Sequence, residues 1–204
     1  GTPPLLSTLL RKSGFSNIHV IDPFADLFKD HFHTMGIQAK TGNVLDADFP
    51  EWHECFDFVA CCEVIEHLGG NMLDAMNRCV RYVKPGGLFL VTSPNLRSIT
   101  GMLALLYYQS GLASKACDTV RAQYERASAA HGYFGHLREY TEKEITDLFG
   151  SMGLVHIASE RQANYIITTR LQHWAARLEK YIPAWRLFGK YLFRKPIATQ
   201  AASK

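Results

Sequence analysis

Three ionisable side chains stand together where an apolar run ends: Phe56 to Leu68 reads FDFVACCEVIEHL, with Glu63, Glu66 and His67 at its carboxyl end. Open α/β sheets place their chemistry where a buried strand gives way to polar side chains. Spacings of three and four would set the two acids and the histidine on one side of a helical turn. His67 is the first candidate for a general base, because an unperturbed imidazole with a pKa of ~6.5 is competent near neutrality. Glu63, Glu66 and His67 are also a conceivable set of ligands for Mg²⁺, although imidazole suits that ion less well than oxygen does, and no metal is assigned. A plainer reading makes the acids solvated first-turn residues, favoured there by the helix dipole.

Two further residues suit a nucleoside. Asp22 closes the run NIHVID about twenty residues after Gly1-Thr2, where an acid can accept both hydroxyls of an adenosine ribose. The alternative is an Asp capping the helix that follows Pro23. Asn43, in Gly42-Asn43-Val44-Leu45-Asp46, can offer an amide oxygen to an adenine amino group.

The elements that must position these residues alternate. Leu5 to Ser13 has helical apolar spacing between Pro4 and Gly14. Strands are expected at Asn17 to Asp22 and Ile37 to Asn43, with a helix at Phe24 to Met35 between them. The run FDFVACC, lacking alternation, predicts a central strand covered on both faces. A helix at Met72 to Val83, the turn Lys84-Pro85-Gly86-Gly87 and the strand Leu88 to Thr92 follow. Strands separated by helices of this length specify a doubly wound, mostly parallel sheet.

Residues 96–135 break the rhythm and are expected to form a helical lid insertion. Thr141-Glu142-Lys143-Glu144 is a capping box that starts a helix ending near Gly153. Leu154 to Ser159 predicts a strand, and Leu171, Trp174, Leu178 and Ile182 form the apolar stripe of an amphipathic helix over 168–182. Gly189 to Phe193 predicts an antiparallel edge strand. The whole is expected to be one domain over 1–195 with a disordered tail at 196–204.

Composition narrows the function. With 47% hydrophobic and 12% aromatic residues the chain can build a substantial core. Basic residues number 22 and acids 19, but residues 168–204 hold eight Lys or Arg and a single acid. That basic segment could touch anionic lipid at the membrane periphery, or simply be a solvated helix face. Cys55, Cys61, Cys62, Cys79 and Cys117 lack metal-site spacing and are expected to be reduced core thiols in the cytoplasm. The longest apolar stretch, Ile99 to Tyr108, is about half of the ~20 residues a membrane span needs. The opening Gly1-Thr2-Pro3-Pro4 lacks a methionine, which is compatible with a fragment of a longer protein.

Taken together, HVIDPF, GNVLDADFP, FDFVACCEVIEHL, VKPGGLFLVTSPN and HLREYTEKEITDLFGSMGL resemble the class I S-adenosylmethionine-dependent methyltransferases from Gly1 to about Leu154. Within that family the chain is most similar to enzymes acting on small molecules, lipids and sugars, including the ubiquinone-biosynthesis type, and not to the nucleic-acid or protein-arginine branches. The resemblance implies S-adenosylmethionine as cofactor. Gly1 and Thr2 would be the end of the glycine-rich turn, the rest of which, with the first strand, is absent from this chain. Asp22, with Pro23 beside it, would bind the ribose; Asn43, Val44 and Leu45 the adenine; Cys62 and Glu63 would line the pocket beside the sulfonium. His136, in His136-Leu137-Arg138-Glu139-Tyr140, becomes a second candidate base, because in this family that segment folds back over the acceptor site. Arg138 and Tyr140 could orient the acceptor or tie down the lid. The expected reaction is methyl transfer to a small or lipid-linked acceptor, most often at oxygen. The rivals are a non-catalytic partner protein with the same fold and a nicotinamide-dependent oxidoreductase, for which Asp22 would serve equally.

Overall fold

The computed structural model describes residues 4–69, 71–112, 121–122, 125, 135–163 and 170–197. Gly1, Thr2, Cys117, about half of the expected lid and most of the expected tail lie outside them.

The chain begins with α1 (Leu5–Lys12), strand β1 (His19–Asp22), a 3₁₀ turn at Ala25–Phe28, α2 (Lys29–Thr34) and β2 (Gln38–Thr41). The single helix expected over 24–35 is thus a 3₁₀ turn running into a short α-helix. β1 and β2 pair in parallel as a two-stranded sheet with a small core of Ile18, Ala25, Phe32 and Ile37.

β3 (Phe56–Cys62), α3 (Met72–Arg81) and β4 (Val83–Pro94) build the centre of the molecule. β4 pairs with β3 in parallel, Cys62 lying opposite Thr92. Then come α4 (Ile99–Leu103), which continues as a π-helical turn at Ala104–Tyr108, α5 (Glu142–Ser151), β5 (Val155–Gln162), α6 (Arg170–Glu179) and β6 (Phe188–Arg194). α5 opens with the expected capping box: the Thr141 side chain accepts from the Glu144 amide and the Glu144 carboxylate accepts from the Thr141 amide.

The larger sheet has the order β3-β4-β6-β5, with β6 antiparallel to both its neighbours. The antiparallel strand expected at the edge therefore lies one place inside it, and β5 is the edge. Burial explains the exchange: Tyr191 and Phe193 on β6 are fully buried, whereas Val155 and Ile157 on β5 are exposed. Phe149 of α5 stacks between Phe89 and Phe193 at centroid distances of 5.3 and 5.2 Å, so the centre of the core lies under β4 and β6. β3, expected to be central and covered on both faces, is instead a boundary of this sheet among the described residues, and its Phe58 is 39% exposed. The two sheets meet where the His19 ring contacts both Trp52 and Phe56 at 4.9 Å, and where Val44 and Leu45 pack on the larger core.

The expected core-facing stripe fails at Trp174, and of the described thiols only Cys55 departs clearly from the expected core. Trp174 is 54% exposed rather than on a core-facing stripe, and Ala175 beside it is buried instead. Cys55 is exposed; Cys61 and Cys79 are buried, Cys62 is half-buried, and these four thiols are free.

Candidate active site

β3 ends in a sharp change of direction. Glu63 has φ of +51°, a left-handed conformation that L-residues adopt at a cost and that clusters at functional sites. Its backbone N–H donates to the Thr92 carbonyl at 3.1 Å, and its carboxylate accepts the Thr92 hydroxyl at 2.7 Å. The chain then makes only a 3₁₀ turn, Ile65–His67, so the acids do not share a helical face as expected. Glu63 turns toward β4, while Glu66 is fully buried and not a solvated first-turn residue.

The segment 135–140 closes over this turn. Leu137 N–H donates to the Glu66 carbonyl at 2.8 Å, and His67 Nδ1 donates to the Gly135 carbonyl at 3.0 Å. The His67 and His136 rings thereby meet edge to face with centroids 4.7 Å apart. His136 Nδ1 lies 2.8 Å from the buried Glu139 carboxylate. A carbonyl can only accept, so Nδ1 of His67 carries a proton and Nε2 is the basic nitrogen of the neutral ring. An ionised Glu139 sets His136 the same way. Past it, Tyr140 is buried and bridges to Asn95 behind β4, and Arg138 binds Glu144 at 2.7 Å, which favours the tie-down role for both.

Burial decides the electrostatics. It pushes the Glu66 carboxyl from its ordinary 4.5 up to about 9, with the Glu63 charge as the next cause. Neither Glu66 oxygen reaches a partner at hydrogen-bonding geometry, so its coupling to Glu63 is repulsion between like charges rather than a formed bond. Glu63 is raised too, by desolvation first, with the Thr92 hydroxyl pulling the other way, although part of its side chain reaches solvent. Burial likewise raises the Cys62 thiol.

One carboxylate and two imidazoles are brought together here. Ligand atoms of Glu66, His67 and His136 all lie within 4.8 Å of one another, and His67 Nε2 is 3.9 Å from Glu66 Oε1. This is not the Glu63, Glu66, His67 set considered from sequence: Thr92 engages Glu63, and His136 stands in its place.

The nucleoside candidates gather at the ends of β1 and β2. Asp22 is buried, and its Oδ1 accepts the Phe24 amide at 2.8 Å within the turn that leaves β1; the 3₁₀ turn that follows has Phe24 as N-cap and no side-chain cap, so the capping alternative is not realised. Pro23 sits inside that turn. Asn43 uses its amide oxygen to accept the Leu45 N–H at 3.0 Å, and Arg78 of α3 donates to the Val44 carbonyl at 3.1 Å and to that of Leu45. Separately, a cleft of about 460 Å³ runs between α5 and β5, lined by Arg97, Lys143, His156 and Arg161 among others. None of Glu66, His67 and His136 lines it.

The model of the methyltransferase domain family matches residues 1–159. The chain belongs to that family. Solved structures agree in fold. A Haloferax volcanii methyltransferase in complex with the Trm112 methyltransferase activator aligns over 94% of this chain and 78% of its own, with a TM-score of 0.61 at 14% identity. A Methanosarcina mazei S-adenosylmethionine-dependent methyltransferase aligns over 94% and 87%, with a TM-score of 0.61 at 12% identity. The N-methyltransferase NodS of Bradyrhizobium japonicum, bound to S-adenosylhomocysteine, aligns over 88% and 67%, with a TM-score of 0.52 at 15% identity. No curated protein sequence matches. The methyltransferase uses S-adenosylmethionine, and the nicotinamide-dependent alternative is set aside. No described helix is long and apolar enough to cross a membrane.

Several residues around the candidate site were not singled out from the sequence. Thr92 and Arg78 act through strands and helices distant in sequence. Glu139, three residues after His136, carried a signal that the spacing of a histidine and an acid could have supplied.

Proposed function

We propose that this methyltransferase moves the methyl group of S-adenosylmethionine to an oxygen of a small or lipid-linked acceptor in the cytoplasm, with His67 as the general base. The carrying observation is the hydrogen bond from His67 Nδ1 to the Gly135 carbonyl, which sets Nε2 as the basic nitrogen at the end of β3. S-adenosylmethionine supplies an electrophilic methyl on a sulfonium. The chain's residues align the acceptor hydroxyl with it and take up the proton on His67 Nε2. Glu139 holds the His136 ring against His67 from the other side. Asp22 is assigned to the ribose, Asn43, Val44 and Leu45 to the adenine, and Cys62 and Glu63 to the sulfonium end. Gly1 and Thr2 keep their assignment to the turn that grips the methionine moiety.

A second reading has its own observation: both Glu66 oxygens are buried without a hydrogen-bond partner, beside two imidazoles already oriented through Nδ1. Such a set, with its outer-shell carbonyl and carboxylate, suits Zn²⁺ or Mn²⁺ better than Mg²⁺, which prefers oxygen ligands. An ion there would acidify the acceptor hydroxyl without needing His67 as base. Release of S-adenosylhomocysteine on a panel of catechols and hydroxylated lipids tests both. Turnover that survives chelation and falls ~10²-fold in His67→Gln supports the base. Loss on chelation and recovery with Zn²⁺ or Mn²⁺ supports the ion. Turnover insensitive to either perturbation overturns both.

A further inference from the structure

Two helices that pack together beside the exit of β4 turn large apolar side chains to water. On the rod formed by α4 and its π-helical extension, Ile99 and Ala104 are buried, but Leu105, Leu106 and Tyr107 are 61%, 75% and 75% exposed. On α6, Trp174 is 54% exposed, and Tyr181 just beyond the helix is 83% exposed. Five large apolar side chains exposed on and beside two packed helices are more than the scattered single residues that ordinary surfaces carry.

Its charge complements one class of surface. Arg177 lies between Trp174 and Tyr181 at helical spacings of three and four, and Lys180 follows. Both are exposed, and no ion pair of either is seen among the described residues. Glu179, the only acid over 168–204, is fully buried. Leucines, interfacial tryptophan and tyrosine, and cations able to reach phosphates are what binding at a bilayer interface requires.

We propose that this face docks the protein on an anionic bilayer, with Leu105, Leu106 and Tyr107 entering the acyl boundary and Arg177 and Lys180 meeting the headgroups. The rod is tied to the site: Ser98 caps α4 through the Gly101 amide at 2.9 Å, and the preceding Asn95 bridges to Tyr140 in the segment that carries His136. The rod is thereby joined to the segment that carries His136, and on the function proposed above docking would narrow the acceptor to a bilayer-resident molecule. The docking itself does not depend on that function.

The test is flotation of the full chain with vesicles of phosphatidylcholine alone or mixed with phosphatidylglycerol, while Trp174 emission is followed with brominated lipid as quencher. Binding to the anionic vesicles, weakened by salt, with quenching that disappears in Trp174→Phe, is expected. Leu105→Glu/Leu106→Glu and Arg177→Ala/Lys180→Ala should each lower partitioning roughly tenfold or more. Calorimetric binding of S-adenosylhomocysteine at wild-type strength would show that the variants are folded. Absence of binding to anionic vesicles overturns the proposal. So does binding that both variants retain, or bound protein whose Trp174 stays unquenched. Concentration-dependent self-association abolished by Leu105→Glu/Leu106→Glu, without vesicle binding, would instead assign the face to a second copy. Turnover plays no part in these readouts, so their failure leaves the catalytic reading standing.

Discussion

Replacing Glu66 by glutamine should change how stability depends on pH. Glu66 is fully buried, and its carboxyl titrates at about 9 in the folded chain against an ordinary 4.5. Below the ordinary value both folded and unfolded states hold the proton, and the contribution of this group to stability is fully present. Between 4.5 and about 9 the unfolded chain releases the proton while the folded chain keeps it, so stability falls as pH rises. The slope is about 1.4 kcal/mol per pH unit, or about 2.7 kcal/mol between pH 5.5 and 7.5. Other groups titrate over the same range, but they cancel in the difference between wild type and Glu66→Gln, a side chain of the same shape that does not titrate. Urea denaturation of both proteins at the two pH values, in the presence of a chelator, measures that difference. The variant should gain on the wild type by about 1–3 kcal/mol between pH 5.5 and 7.5. A gap that stays constant within ~0.5 kcal/mol would show that Glu66 ionises freely in the fold, and the reasoning from burial would be wrong. Adding Zn²⁺ or Mn²⁺ separates the two readings of the site: an ion that needs the carboxylate would stabilise the wild type at pH 7.5 and not the variant.

Asp22→Asn keeps an oxygen for the Phe24 amide but loses the charge, so binding of S-adenosylhomocysteine by calorimetry should weaken about tenfold with little change in melting temperature; unaltered affinity would remove Asp22 from the cofactor site. Thr141→Ala breaks the capping box of α5 and should cost about 1 kcal/mol in urea denaturation. A Cβ on Gly101 would fall 2.0 Å from the Leu96 carbonyl oxygen, so Gly101→Ala should lower stability by roughly 2–4 kcal/mol or unseat α4, seen as a lower melting temperature and loss of helical circular dichroism.

The legible parts of this molecule were those specified within a few residues. The apolar run at 56–62 is a strand, the Thr141 to Glu144 spacing is a capping box, and the order strand, helix, strand from β3 to β4 is as expected, although Lys84-Pro85-Gly86-Gly87, expected as a turn, belongs to β4. Each depends on spacing along one segment, where the backbone geometry of helix or strand fixes which side chains are neighbours. The position of β6 was not legible that way, because a short apolar strand serves equally at an edge or inside a sheet until its neighbours are known. Trp174 misled for the same reason: helical spacing finds a stripe but does not say whether another layer covers it.

The site divides along the same line. Its residue types, and the ends of strands where they stand, were determined by the sequence alone, as was the likeness that names its cofactor. Only the tertiary structure decided that Glu66 is buried, that Glu63 turns away to Thr92, and that His136 comes to lie 4.7 Å from His67 with both rings oriented through Nδ1. These follow from the closure of segment 135–140 onto the turn after β3, where two backbone amides find the Glu66 carbonyl. Burial and the meeting of groups distant in sequence are properties of that packing, and no local spacing encodes them.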